Sequence, residues 1–263
     1  MDRLNAHYDF IKNQYEPSNI VGIFLCGSQN YGTDLPTSDI DSKVLIAPTL
    51  SDIYTNKKGE SVTRIFPNSE EQIVVKDVRC AFSEFKKQNI NSVEILFTDY
   101  CIINPLYKET WQELINHRDT IVDYDPILTV RTTKGIAFSY YAKLYNKETQ
   151  EVNCKAAANL LRIEYYLKKY IDQKPYIECL RPQGETLEYI KQIRQHEMGS
   201  NSIITLADSA MTNIKVIADA FCDKPSFSST DFDVEELLNK SCKDIIDTAF
   251  FSEYTRNGEF PNV

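Results

Sequence analysis

Residues 19–47, NIVGIFLCGSQNYGTDLPTSDIDSKVLIA, constrain this chain more than any other stretch. An apolar run from Ile20 to Cys26 breaks at Gly27-Ser28, and a second, Ser42 to Ile46, is opened by Asp39 and Asp41. Both runs are rich in Val, Ile and Leu and bounded by turn residues, which predicts two short buried strands. Side chains two apart on a strand share a face, so Asp39, Asp41 and Lys43 point the same way. Neighbouring carboxylates repel, and a hard cation between them is the usual reason to hold them so. Gly27-Ser28, leaving a strand and opening a predicted helix, offers backbone N–H groups to a phosphate. Together these parts predict a site for a metal-bound nucleoside triphosphate.

The pattern GS-x-x-Y-G followed by S-D-x-D resembles the DNA polymerase β-like nucleotidyltransferase superfamily, and its YG form looks like the RNA repair branch. The resemblance implies that Gly27 and Ser28 bind nucleotide phosphates. It also implies that Asp39 and Asp41 are catalytic and hold two Mg²⁺ ions, which align an attacking hydroxyl with the α-phosphate of an NTP. A second stretch, Val152 to Arg194, is similar to the same branch: K-x-x-x-N-x-x-R, then L-R-P-x-x-x-x-L, and later I-R. Lys155, Asn159, Arg162 and Tyr166 follow at spacings of four, three and four and so line one helical stripe, beside a buried stripe of Ala156, Leu160, Ile163, Leu167 and Tyr170. The resemblance implies that Lys155 and Arg162, with Asn159 between them, contact nucleotide phosphates or an acceptor strand, and that Arg181 and Arg194 are weaker candidates. A salt-bridged helix face using Glu151 or Glu164 is the other reading of the same residues.

Members of that superfamily carry a third acidic residue on a neighbouring strand. Here the matching segment is EEQIVVKDVR, residues 70–79, and counting back from Asp77-Val78-Arg79 puts the acid at Gln72. An amide ligates Mg²⁺ weakly and cannot act as a base. Glu70 shares the face of Gln72 on a regular strand, and Glu71 reaches it only through a bulge or a register shift. Either Glu70 or Glu71 is the third catalytic acid, or the site works with two carboxylates, or the chain binds nucleotide without turnover. Lys43 balances the acidic pair, meets a triphosphate, or is a surface lysine at a strand end. Tyr31 stacks on a base or packs the turn, and Glu94, in an apolar stretch, calls for a Lys or Arg partner.

The rest of the chain predicts an α/β (α+β) core with a small mixed sheet over residues 1–124, followed by an all-helical domain over 125–263. A helical stripe (Leu4, Tyr8, Ile11, Tyr15) ends at Pro17; a loop tip at Asn56-Lys57-Lys58-Gly59 precedes a hairpin, Val62–Phe66 and Glu71–Lys76, turning at Pro67-Asn68-Ser69. Asp77 caps a helix with Val78, Ala81, Phe82 and Phe85 on one face, and Trp111, Leu114 and Ile115 mark another. From Asp125 strand signals stop, and helices are predicted over 127–146, 151–171, 185–197, 202–221 and 233–251, with breaks at 173–175, 199–201 and Pro225-Ser226.

Composition closes off several alternatives. Net charge is −9, which argues against a protein that coats nucleic acid non-specifically but leaves room for one nucleic-acid end in a local basic site. Seven scattered cysteines, never in C-x-x-C spacing, read as reduced thiols, and His7, His117 and His196 read as surface or satisfied groups. No apolar stretch approaches a membrane span, and the start MDRLNAHYDF lacks a signal-peptide core, so no membrane partner and a cytoplasmic location are expected. The expected activity is Mg²⁺-dependent transfer of a nucleoside monophosphate from an NTP to an acceptor hydroxyl, an RNA (tRNA-like) 3′ end first. Transfer to a protein or a small molecule, or non-catalytic nucleotide binding because of Gln72, are the alternatives.

Overall fold

The computed structural model describes residues 2–146, 148–149, 151–223 and 232–256. The chain opens with helix α1 (Asp2–Lys12), followed by strand β1 (Ile20–Cys26), the single turn α2 (Ser28–Tyr31) and β2 (Asp41–Ile46). Then come α3 (Leu50–Tyr54), β3 (Ser61–Ile65), β4 (Gln72–Asp77), α4 (Val78–Lys86), α5 (Ile90–Val93) and β5 (Cys101–Ile103). The five strands form one mixed sheet in the order β3-β4-β2-β1-β5, with β2 and β4 parallel and the other pairs antiparallel. This agrees with the predicted small mixed sheet.

The hairpin turns where predicted. Asn68 sits at φ 58° and Asn56, at the predicted loop tip, at φ 52°, left-handed conformations that Asn tolerates better than most residues. The Asp77 side chain accepts the Arg79 N–H at 2.8 Å, capping α4, whose Val78, Ala81, Phe82 and Phe85 are all buried. The sequence reading misses α3 and β5, among other short elements, and runs α1 too long. The turn α3 is fixed by a capping box between Thr49 and Asp52, a signal hidden in a polar stretch. Strand β5 is only three residues long, and α1 stops at Lys12 rather than Tyr15.

The second half is dominated by α6 (Lys108–Asn116), α7 (Arg118–Asp123), α8 (Pro126–Tyr141), α9 (Cys154–Ile171), α10 (Tyr176–Leu180), α11 (Gly184–Arg194), α12 (Ser200–Cys222) and α13 (Val234–Arg256). It is not wholly helical. The predicted helices over 127–146 and 151–171 give up their facing ends to a two-stranded ribbon, β6 (Tyr145–Asn146) with β7 (Glu151–Val152). Asn153 then caps α9 by accepting the Ala156 N–H at 2.9 Å, so the helix starts at Cys154. Asp233 accepts the Glu236 N–H at 2.9 Å, the expected start of α13, while the predicted break at Pro225-Ser226 lies outside the described residues.

The two faces of the sheet bury different cores. Toward α1 lie Leu4, Ile11, Ile20, Ile23, Val44, Ile73 and Val75. The opposite face contributes Val21, Phe24 and Leu45 to a larger cluster that runs through α4 and α6 into α8, α9, α11, α12 and α13. Strand alternation therefore decides which β2 and β4 side chains meet α1 (the rear face below) and which meet the long helices (the front). All seven cysteines are free thiols, and burial pushes that of Cys26 up to about 12. Among the described residues no helix is long and apolar enough to cross a membrane.

Candidate functional site

Strand β1 ends at Cys26, which pairs with Asp41 at the start of β2. Between them the chain makes a tight turn: Gly27 adopts φ 71°, and its carbonyl accepts the N–H groups of Asn30 and Tyr31 at 3.1 and 3.2 Å. A Cβ on Gly27 would lie 3.1 Å from Asp41 Oδ2 in a conformation L side chains avoid, so glycine is required for the carboxylate to rest against the turn. The two halves of the predicted motif are thus in contact. Asp41 is half-buried, Asp39 is exposed, and Gly27 and Ser28 are partly exposed beside them.

Parallel pairing of β2 with β4 sets Ser42 against Ile73 and hence Asp41 beside Gln72, whose N–H donates to Asp41 Oδ1 at 3.3 Å. The register therefore puts the amide side chain where the third acid was sought. Glu70 is exposed, just ahead of β4. Glu71 turns to the rear face: it is fully buried, accepts the Ile40 N–H at 3.1 Å, pairs with Arg3 and lies 3.2 Å from His7 Nε2. Strand alternation separates Glu71 from Asp41, and no bulge in β4 brings it round.

Asp41 has no ion pair among the described residues. Burial raises its carboxyl above the usual range, with Asp39 and Glu71 adding repulsion, while the Gln72 N–H and the charge of Lys155 work the other way. Lys155 is exposed near the start of α9, and Asn159 Nδ2 is spent on the Lys155 carbonyl at 2.8 Å. Lys43 does not reach this front edge. Its ammonium pairs with the buried Glu94 and donates to the Asn91 carbonyl; burial opposes the charge, and Glu94 outweighs that and holds the pKa above its ordinary value. Glu94 thereby has the basic partner that the sequence called for.

Three arginines from the helical half hold the 28–38 segment. Arg162 is 3% exposed and lies with Cζ 4.0 Å from the centroid of the Tyr31 ring; its Nε donates to Asn159 at 3.3 Å and Nη2 to Asn91 at 3.4 Å, while Nη1 is buried with no hydrogen-bond partner among the described residues. The predicted Lys155–Arg162 stripe is thus exposed only at its N-terminal end, because Tyr31 rises to cover Arg162, and Tyr166 is fully buried. Arg181 donates to the Asn30 carbonyl at 3.2 Å and to Asp99 at 2.8 Å. Arg194 donates to the Thr33 carbonyl at 2.8 Å and Ser38 Oγ at 3.1 Å. Burial lowers the Arg194 pKa, and Asp34 and Asp41 partly restore it, so this cation sits in the field of Asp41. On α8, Arg131 is exposed and Lys134 is paired with Asp219.

Among the described residues no three His, Cys, Asp or Glu side chains are grouped to hold a metal ion. Asp39, Asp41 and the Gln72 amide nonetheless suit a hard cation that keeps several waters and shares its coordination with phosphates, the usual habit of Mg²⁺. No model of a known protein family matches the sequence, and no curated protein matches it.

Proposed function

We propose that this chain is a Mg²⁺-dependent nucleotidyltransferase that moves a nucleoside monophosphate from an NTP to an acceptor hydroxyl, an RNA 3′ end being the acceptor its motifs suggest. The observation that carries the reading is Asp41: an acid without an ion pair among the described residues, resting on the Gly27-Ser28 turn in the field of Lys155 and Arg194. A carboxyl raised by burial beside a turn of free backbone N–H groups is the habit of binding sites.

In this reading Asp39 and Asp41 would hold Mg²⁺, which would supply charge neutralisation to the phosphates. The Gly27-Ser28 N–H groups, Lys155 and Arg194 receive phosphate oxygens. Attack by the acceptor oxygen on the α-phosphorus forms the new P–O bond, pyrophosphate leaves, and the hydroxyl proton passes to solvent or to a carboxylate at the edge of the site. Gln72 cannot take that proton. A second reading, nucleotide binding without turnover, is favoured by that same residue and by Glu71 facing away.

Incubation with each α-labelled NTP and Mg²⁺, offering RNA, protein extract or small molecules, separates these readings. The proposal expects label on RNA that disappears in Asp41→Asn. Bound nucleotide with no labelled acceptor would leave the second reading standing, and label on protein or a small molecule would reassign the acceptor.

A further inference from the structure

Behind Asp41 the chain builds a buried relay that the reaction outlined above does not use. His7 Nδ1 lies 3.0 Å from Ser42 Oγ and its Nε2 lies 3.2 Å from Glu71 Oε2, with all three side chains fully buried. The connectivity is that of a hydrolytic Ser-His-Glu triad, but a fully buried hydroxyl meets no substrate, and the relay has to be read by what it holds. In the tautomer whose Nε2–H donates to the carboxylate, Nδ1 accepts the Ser42 hydroxyl. The other oxygen of Glu71 accepts the Ile40 N–H at 3.1 Å and pairs with Arg3.

Ile40 stands between Asp39 and Asp41, and Ser42 follows Asp41 directly. The relay therefore grips the residues on both sides of Asp41, while the next residue on β4, Gln72, donates its N–H to the Asp41 carboxylate itself. We infer that Glu71 is a positioning residue: through the Ile40 N–H, and with His7 and Arg3 holding it in turn, it fixes the spacing of the Asp39 and Asp41 carboxylates from behind the sheet. The inference rests on the reading of those two acids as a cation-binding pair. It gives Glu71 a part in the site without direct contact with the ion, as groups that orient metal ligands generally act.

The test uses the full chain with Mn²⁺ as the probe, followed by electron paramagnetic resonance, together with hydrogen exchange at the Ile40 amide. Glu71→Gln keeps an oxygen for the Ile40 N–H and should hold Mn²⁺ within about threefold of the parent affinity. Glu71→Ala removes that acceptor and should lose about tenfold, with Ile40 exchange accelerated at temperatures where circular dichroism shows the fold intact. Arg3→Ala, a surface change that leaves the core filled, asks the same question where Glu71→Ala does not fold, and should cost about threefold.

If Glu71→Gln abolished Mn²⁺ binding, the result expected of Asp41→Asn, Glu71 would be a ligand and the inference wrong. Unchanged affinity and unchanged Ile40 exchange in Glu71→Ala and Arg3→Ala would also overturn it. A parent chain with no Mn²⁺ site would sink the underlying reading and this inference with it, an outcome distinct from equal binding by parent and variants.

Discussion

Two carboxylates stand at the start of adjacent strands of one sheet, Asp41 opening β2 at the front and Glu71 just ahead of β4 at the rear, and their surroundings push them in opposite directions. Glu71 is the more deeply buried, yet the Ile40 N–H, Arg3 and His7 outweigh the burial and hold its pKa below the ordinary value. Asp41 keeps more exposure, yet burial wins there and its pKa rises. A buried acid satisfied by three donors stiffens its surroundings; an acid given one backbone N–H and no cation partner keeps capacity for a ligand. The rear of the sheet is thus built to hold, and the front edge leaves its acid open, which the proposed nucleotide site would use.

The largest effect that sharpens this contrast comes from deeper in the front face, at the Lys43–Glu94 pair. Glu94→Leu leaves a buried ammonium without its counter-charge and should cost about 3–5 kcal/mol in urea unfolding, whereas Lys43→Met with Glu94→Leu should recover most of it. Equal losses in the single and double variants would contradict a structural role for Lys43. Arg162→Met keeps the packing over Tyr31 but removes the cation and its hydrogen bonds, and should cost about 1–2 kcal/mol by the same measurement.

Titration should then separate front from rear by sign. A depressed acid stabilises the fold above its unfolded pKa, so the advantage of the parent over Glu71→Gln should be full above about pH 4.5 and fade as pH falls through the lowered value. A raised acid does the reverse: ionised Asp41 works against the fold at neutral pH, and the penalty is relieved as pH falls through its raised value toward 3.8. Asp41→Asn should accordingly gain about 1 kcal/mol at pH 7, with the gain vanishing in acid. Thermal unfolding of the three proteins across pH 3–8 reads both; the same sign for both acids would break the comparison. The smallest expected change is Gln72→Glu, which sets a like charge beside Asp41 and should cost about 0.5 kcal/mol while strengthening Mn²⁺ binding several-fold. Weaker Mn²⁺ binding in that variant would place position 72 outside the cation site.

The front edge was legible because its grammar is local. A strand, a glycine turn and a second strand with acids at its start can be read from spacing alone, and the structure does press Gly27 against Asp41. The register of β4 was also legible, since Asp77 is both the last strand residue and a helix cap and fixes the count back to Gln72. What could not be read depends on distant partners. Arg3 gives no signal in a surface helix, and His7 reads as any satisfied histidine until β4 brings Glu71 to it. The hold of Arg181 and Arg194 on the 28–38 segment spans about 150 residues of chain and leaves no periodic trace. Arg162 misled in part, because its spacing places it on a helix stripe but not under the ring of Tyr31.

The central claim, that the front edge at Asp41 takes a metal-bound nucleotide, is tested most directly by equilibrium binding of non-hydrolysable α,β-methylene NTP analogues with and without Mg²⁺ to the parent and Asp41→Asn proteins. The account predicts Mg²⁺-dependent binding of at least one analogue to the parent, weakened about 100-fold or more in Asp41→Asn while the variant remains folded. Binding that ignores Mg²⁺, or equal affinity in the two proteins, would contradict it.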